Sequence, residues 1–357
     1  MKLVKKLKHL LFQNRLNLCI QKRVIHLIKS WGDPHRDLLG ADGQITSMHF
    51  SSDDTKLVAS TSEGSIFVWD LTTSSPFHIA TASGPAIGAI NSVKFSSSGA
   101  LIAAGDSAGN IIVFDLVMNV KFTNSDHVES INGIVFTSND KYIISASSDG
   151  NINVTDVVSG LNFYTHADEL HVGKVTSIDL AKVEVGDSSD DVIITGGEDG
   201  FVRVATWNES AFLAPARLAG HVSEVTSVRF ALLSNIFYSC DESFVKTWEL
   251  DSATMTYSNS ISAKTNNIVP KFMTTYGNLP YTCDGESKNV YSWLGDSYIQ
   301  EIFIYAQIVQ VVVWPDPLLF NIKEPSWPAG PIASISPITC YAKRVGSIDD
   351  MRWEEDF

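Results

Sequence analysis

The sequence predicts an all-β fold, a closed ring of seven four-stranded units. Three observations predict it: a repeat of about forty residues, period-two apolar patterning inside each repeat, and a turn of fixed chemistry at a fixed place in most of them. The repeat is anchored on an aliphatic residue followed by apolar positions three and five residues later. Seven copies align: Ile45/Met48/Phe50, Ile90/Val93/Phe95, Ile131/Ile134/Phe136, Val175/Ile178/Leu180, Val225/Val228/Phe230, Val269/Phe272/Thr274 and Val309/Val312/Trp314. Their third members lie 45, 41, 44, 50, 44 and 40 residues apart, the length of one four-stranded unit.

Each copy has the same interior. A second strand such as Leu57–Ser60, Ile143–Ser145 or Val192–Thr195 runs into a tight turn (Ser62-Glu63-Gly64, Ser148-Asp149-Gly150, Glu198-Asp199-Gly200). A third strand then ends at Trp69, Phe114, Thr155, Ala205, Trp248 or Trp293, at distances of 19, 19, 19, 25, 18 and 19 from the end of the first strand. Gly64, Gly109, Gly150 and Gly200 stand where such a turn requires positive φ. The long fourth copy coincides with the polar run Glu184–Asp191, expected as a surface-loop insertion. A single such sheet leaves both faces exposed, whereas seven stacked around an axis cover them and protect their edges. This explains how 357 residues form one unit instead of two domains.

With the repeat in hand, Val68-Trp69-Asp70-Leu71 resembles the signature of the WD-repeat family, and Phe114-Asp115 and Trp248-Glu249 are variants of it. Gly220-His221 is similar to the family's glycine-histidine pair, and HVESI, HVGKV and HVSEV, beginning at His127, His171 and His221, are three copies of one phrase. The likeness covers about residues 34 to 335 and implies a seven-bladed β-propeller. It also implies a tetrad of His, strand Ser or Thr, turn Asp and strand Trp that stiffens each blade. By position the third unit offers His127, Ser147 and Asp149 with Thr155 for Trp. The fourth offers His171 and Asp199 with Gly197 and Ala205 elsewhere. The fifth offers His221 and Trp248 with Cys240 and Glu242, and the first Thr61, Glu63 and Trp69 with Ala41 at the His position. On this alignment no blade is complete.

The domain plan is a basic amphipathic segment over 1–32, expected to be helical, a propeller over 33–345 and an acidic tail over 346–357. Leu3, Leu7, Leu10 and Leu11 share one face of such a helix. Arg36–Leu39 and Ile338–Lys343 compete to complete the last blade, with a seventh third strand expected near Ala333. Met351 and Trp353 mimic the start of an eighth unit. Residues 1–32 carry eight Lys or Arg and no acid, so the remainder holds 18 basic and 40 acidic residues, a net charge of −22. A body so acidic repels a phosphate backbone, and any anionic partner, RNA or membrane surface, belongs to residues 1–32. No run of about 18 apolar residues occurs, so no membrane span is expected.

Catalysis is not expected. His127, Ser147 and Asp149 are the residue types of a hydrolytic triad, but the phrase recurs from unit to unit whereas a nucleophilic site occurs once. Glu198/Asp199 and Asp241/Glu242 fall on turns read as exposed, and Asp187–Asp191 lacks the Gly and Glu of a calcium loop. Gly196-Gly197 lacks the Lys and helix of a phosphate cradle. Cys19, Cys240, Cys283 and Cys340 are scattered without metal spacing, which suits a reducing compartment; no cofactor or metal is expected.

The function expected is therefore a non-enzymatic scaffold in an intracellular multiprotein complex, cytoplasmic or nuclear, with organelle targeting by residues 1–32 left open. The resemblance implies protein partners on the face bearing the His loops and across the central opening, with Glu129, Ser130, Gly173, Lys174, Ser223 and Glu224 in the loops and Ser148 and Glu198 in the turns as contact candidates. Two alternatives stand beside it. A ribonucleoprotein or ribosome assembly factor would use the basic segment. A ubiquitin-ligase substrate receptor often follows the WD dipeptide with x-Arg, which Trp69-Asp70-Leu71-Thr72 lacks.

Overall fold

Six successive antiparallel blades build the described body of the protein, five of four strands and a sixth of five, each a meander running outward from an inner first strand. The computed structural model describes residues 44–304, apart from short connecting segments, and the strands Asn17–Gln21, Val24–Ile28, Arg36–Leu38 and Cys340–Arg344. The inner strands are Ile45–Phe50, Ile90–Phe95, Ile131–Phe136, Val175–Val185, Ser227–Phe230 and Phe272–Tyr276, and each touches the inner strand of the next blade.

Packing shows why the blades stack radially. Each of five apolar clusters among the described residues joins two neighbouring blades. Val58, Ile66 and Val68 of the first blade pack on Val93, Phe95 and Ile102 of the second, and Ala103, Ile111 and Val113 on Ile131, Ile134 and Phe136. Further round, Ile144, Ile152 and Val154 meet Val175, Ile178 and Trp207. Ile194, Val202 and Val204 meet Val225, Phe230 and Trp248, and Tyr238, Cys240 and Val245 meet Met273, Tyr291 and Trp293. At about 1.5–3 kcal/mol per buried side chain, these interfaces supply most of the stability.

Polar groups of the inner strands add a second tie. The residue after the first aliphatic position donates to the carbonyl of the first aliphatic position, or its replacement, in the next blade: Thr46 to Ile90, Asn91 to Ile131, Asn132 to Val175, Thr176 to Val225 and Thr226 to Pro270. One place further on, Ser47, Ser92 and Ser177 accept the backbone N–H of Val93, Ile134 and Val228, each at 3.2 Å. These bonds fix the register between blades, which a smooth apolar interface alone would leave free to slide.

The structure corrects four expectations. Within the segment expected to be helical, Asn17–Gln21 and Val24–Ile28 are antiparallel strands, and the leucine face at Leu3–Leu11 lies outside the described residues. The β-branched residues Ile20, Val24, Ile25 and Ile28 suit strands better than a helix. The excess of the fourth unit is not a loop, since the first two strands extend to Val185 and from Ser188, lengthening the hairpin. The sixth unit is displaced by one residue from its sequence alignment. Pro270 accepts the inter-blade bond, Met273 is buried and Val269 is exposed, so the anchors are Pro270, Met273 and Thr275 instead of Val269, Phe272 and Thr274. Pro270 hid the register because a proline replaces the aliphatic residue.

The fourth correction concerns the chain ends. Arg36–Leu38 pairs with Val24–Ile28, forming a three-stranded sheet with Asn17–Gln21, while Cys340–Arg344 adds a fifth strand to the sixth blade beside Ser297–Ile304. The two candidates thus join different sheets and do not compete for one edge. The anchors of the seventh unit, Ala333, Met351 and Trp353 lie outside the described residues.

Candidate functional site

Alternation of strand direction puts the turns between second and third strands, with the loops entering each inner strand, at one end of the blades. Turns between first and second and between third and fourth strands lie at the other. The His phrases sit in the entering loops. In the third blade His127 Nδ1 lies 2.8 Å from Asp149 Oδ2 and its Nε2 2.8 Å from Ser145 Oγ. In the fourth, His171 Nδ1 lies 2.9 Å from Asp199 Oδ1 and Nε2 2.9 Å from Thr195 Oγ1. In the fifth, His221 Nδ1 stands 3.0 Å from Asp241 Oδ2 and Nε2 2.5 Å from Ser239 Oγ, which also accepts the Trp248 indole N–H at 2.7 Å.

The fifth blade therefore holds a complete tetrad of His221, Ser239, Asp241 and Trp248, where the sequence alignment offered Cys240 and Glu242. Its turn is one residue shorter, closing Asp241 N–H on Phe244 O where the third blade closes Ser147 on Asn151, so counting from other blades misplaced both partners. Asp241 is wholly buried, not on the exposed surface of a turn. In the third blade the hydroxyl is Ser145, not Ser147. Two residues on along the same face, Ser147 Oγ donates instead to the carbonyls of Glu129 and Ser130 and accepts Asp149 N–H. Thr195 takes the role in the fourth blade. The signal was legible: Ser145, Thr195 and Ser239 each follow two apolar residues, Ile-Ile, Ile-Ile and Phe-Tyr. At the corresponding register the first two blades have Ala59 and Ala104, so Thr61 is not a tetrad hydroxyl; it bonds Ser65 across its own turn, and Glu63 is exposed.

Glycine is required at 197, since a Cβ there would lie 2.0 Å from His171 Nδ1 and 2.7 Å from Asp199 Oδ1. The turn glycines 64, 109, 150 and 200 all have positive φ. At Gly109 a side chain would also meet His127 O at 2.4 Å.

The electrostatics are those of a brace. Burial lowers the pKa of His171 and His221 despite Asp199 and Asp241, so both rings are neutral at pH 7. Burial opposes ionisation of Asp241, but the contact with His221 and the N–H groups of Val222 and Ser243 outweigh it and hold the carboxyl at about 2. A carboxylate can only accept, so each Nδ1 carries the proton and Nε2 accepts from the hydroxyl. In this arrangement the hydroxyl hydrogen is committed to the ring, and no nucleophile is presented to solvent. Cys240, buried and free, has its thiol pushed up to about 12 by burial.

The second duty of each Asp is to hold the loop. Val128, Val172 and Val222, each following its His, donate their N–H to Asp149, Asp199 and Asp241 at 3.1, 3.2 and 2.9 Å. The backbone is thus pinned inward while the side chains point out, 83%, 79% and 71% exposed. Sequence reasoning missed these valines because an apolar residue in an apolar-rich repeat reads as core.

Of the contact candidates, Glu129, Lys174, Glu198 and Glu224 are exposed beside the valines, with Lys174 N–H bonded to Glu198 Oε2. Ser130 and Ser148 are half-buried and bonded by Asn91 and Asn132 of the inner strands, and Ser223 Oγ is buried without a protein partner. Among the described residues no group of His, Cys, Asp or Glu is placed to hold a metal, and no helix is long and apolar enough to cross a membrane.

The family model of the WD domain, G-beta repeat, matches residues 32–70, 78–115 and 119–156. The second and third matches open on or just before the fourth strand of one blade and end with the third strand of the next, so each spans one repeat offset by a strand from the observed blade. Residues 32–156 thus carry three WD repeats, and the described blades share the plan of a WD-repeat β-propeller. A solved structure titled "Crystal Structure of Mitotic Checkpoint Complex" contains a chain similar to this one at 15% identity, with a TM-score of 0.61 over 74% of this chain and 80% of that one, a likeness of fold. No curated protein matches in sequence. The fourth to sixth WD-repeat blades escape the family model. The fourth has a lengthened hairpin and Ala205 for Trp, the fifth a shortened turn and the sixth a proline at its anchor, departures that leave the packing intact.

Proposed function

We propose that this WD-repeat protein is a non-enzymatic scaffold that seats a partner protein on the face carrying the His loops, in an intracellular complex. WD-repeat propellers serve generally as platforms for protein interaction. The observation that carries the reading is the arc of Val128, Val172 and Val222 on three consecutive blades. Three exposed valines on loops this firmly held lose little conformational entropy on binding, which favours a rigid apolar contact ringed by the charges of Glu129, Lys174, Glu198 and Glu224. Recurrence of the His–Asp–hydroxyl set, buried and internally bonded, supports a structural duty for it in place of catalysis.

The test is affinity purification of the whole chain from its native cell, beside a V128D/V172D/V222D variant with matched thermal stability. Stoichiometric partners that survive nuclease and are lost from the variant support the reading. Partners retained by the variant would remove the face from the account. Partners lost only on deleting residues 1–32 and sensitive to nuclease would favour the ribonucleoprotein alternative, which the eight bases and no acids of that segment support.

A further inference from the structure

The fifth residue of each inner-strand copy occupies one register position: His49, Lys94, Val135, Asp179, Arg229 and Thr274, opposite Val58, Ala103, Ile144, Ile194, Tyr238 and Tyr281. Its neighbours Met48, Val93, Val228 and Met273 are buried between blades. The inner strands form the innermost layer, so this position makes a belt around the central opening. Four of its six members can carry charge. They come from the first, second, fourth and fifth blades, yet they act on one another electrostatically: Lys94 and Arg229 on His49, and Arg229 and Asp179 on Lys94.

The hydrogen bonds of the belt leave its donors free. His49 Nδ1 accepts Phe95 N–H at 3.2 Å, which puts the ring proton on Nε2. Asp179, the single acid of the belt among the described residues, accepts Phe230 N–H at 2.8 Å. Arg229 commits Nη1 to Val228 O at 2.7 Å, with Ile178 O at 3.4 Å and Ser177 Oγ at 3.5 Å beside it. The Lys94 ammonium has neither a hydrogen bond nor an ion pair among the described residues. Two fixed cations and a neutral N–H donor thus face one carboxylate already bonded to backbone, inside a chain of net charge −14. Lys94 and Arg229 are partly exposed and Asp179 offsets only one of their two charges, so an arriving anion supplies the second counter-charge.

We propose that this belt is a binding site for a single oxyanion, a phosphate or a carboxylate group, held by the Lys94 ammonium, the Arg229 guanidinium and His49 Nε2–H. It is independent of the loop-face reading, since none of these residues lies in the His loops. Burial, and next the charge of Arg229, lower the Lys94 pKa to about 8, with Asp179 acting the other way. Anion binding favours protonated Lys94 and weakens as pH rises through that value. His49, held neutral by burial and by both cations, contributes a donor and no charge.

The test is calorimetric titration of the full chain at constant ionic strength with inorganic phosphate, with acetate as the carboxylate arm and with sulfate for the pH profile, because sulfate keeps its charge from pH 6 to 10. One saturable site is expected, weakened at least tenfold in K94M, unchanged in the surface control K174M and tightened in D179N. Sulfate affinity is expected to fall above about pH 8 in the unsubstituted chain and in K174M, and not in K94M. The tighter of phosphate and acetate identifies the source of the group. Absence of saturable binding by all three anions, or equal binding by K94M and K174M, overturns the proposal. Should K94M fail to fold, D179N binding no more tightly than the unsubstituted chain does the same.

Discussion

Ser239→Ala is the sharpest perturbation of the fifth-blade tetrad. The hydroxyl it removes bonds His221 Nε2 at 2.5 Å and accepts the Trp248 N–H at 2.7 Å, and Ser239 and Trp248 are buried. Its loss leaves an imidazole nitrogen and an indole N–H without partners. Each such orphan costs about 1–3 kcal/mol, so a loss of about 3 kcal/mol is expected once partial relaxation is allowed. Urea unfolding followed by tryptophan fluorescence gives the global cost. Hydrogen exchange of the Val222 amide, held by Asp241, gives the local one. Glu242→Gln, at the exposed residue that the sequence alignment favoured, is the control and is expected to stay within about 0.5 kcal/mol. A Ser239→Ala cost no larger than that of Glu242→Gln, with Val222 exchange unchanged, would refute the assignment.

Three further outcomes follow from the same geometry. Gly197→Ala places a Cβ against the His171 ring, and a loss of about 2–4 kcal/mol with faster exchange of the Val172 amide is expected in the same two assays. Thr155→Val removes a buried hydroxyl that has no partner and keeps the volume, so the urea midpoint is expected to rise by about 1 kcal/mol of stability. Acid titration is expected to erode stability in two windows. As pH falls below about 6.5 the unfolded chain takes up protons that the lowered pKa of His171 and His221 refuses. As it falls from 3.8 towards 2, the contribution of Asp241, roughly 2 kcal/mol, is lost. In His221→Gln the first window should shrink.

The blades were legible from sequence wherever side-chain periodicity and pairing agreed. Ile45, Ile90, Ile131, Val175 and Val225 mark the inner strands because both faces of each sheet are buried, and burial demands the same residue types in every copy. Legibility failed where spacing was counted across turns of unequal length. Asp241 was passed over for Glu242 because a turn one residue shorter moves the carboxylate by one place, and Ser147 stood in for Ser145 because both lie on one face of a strand. The sixth blade slipped at Pro270 for want of an aliphatic anchor. The exposed valines and the charged belt could not be read from composition, since they depend on which edge of a sheet faces solvent or the axis.

Placement of a partner on the His-loop face is tested most directly by site-specific photo-crosslinking in the native cell. A photoreactive residue replaces Val128, Val172 or Val222 in turn, with Val158, exposed on a turn at the opposite end of the blades, as the control. The account predicts one shared protein adduct from the first three positions and not from the fourth. Adducts at Val158 with none at the three loop valines would contradict it.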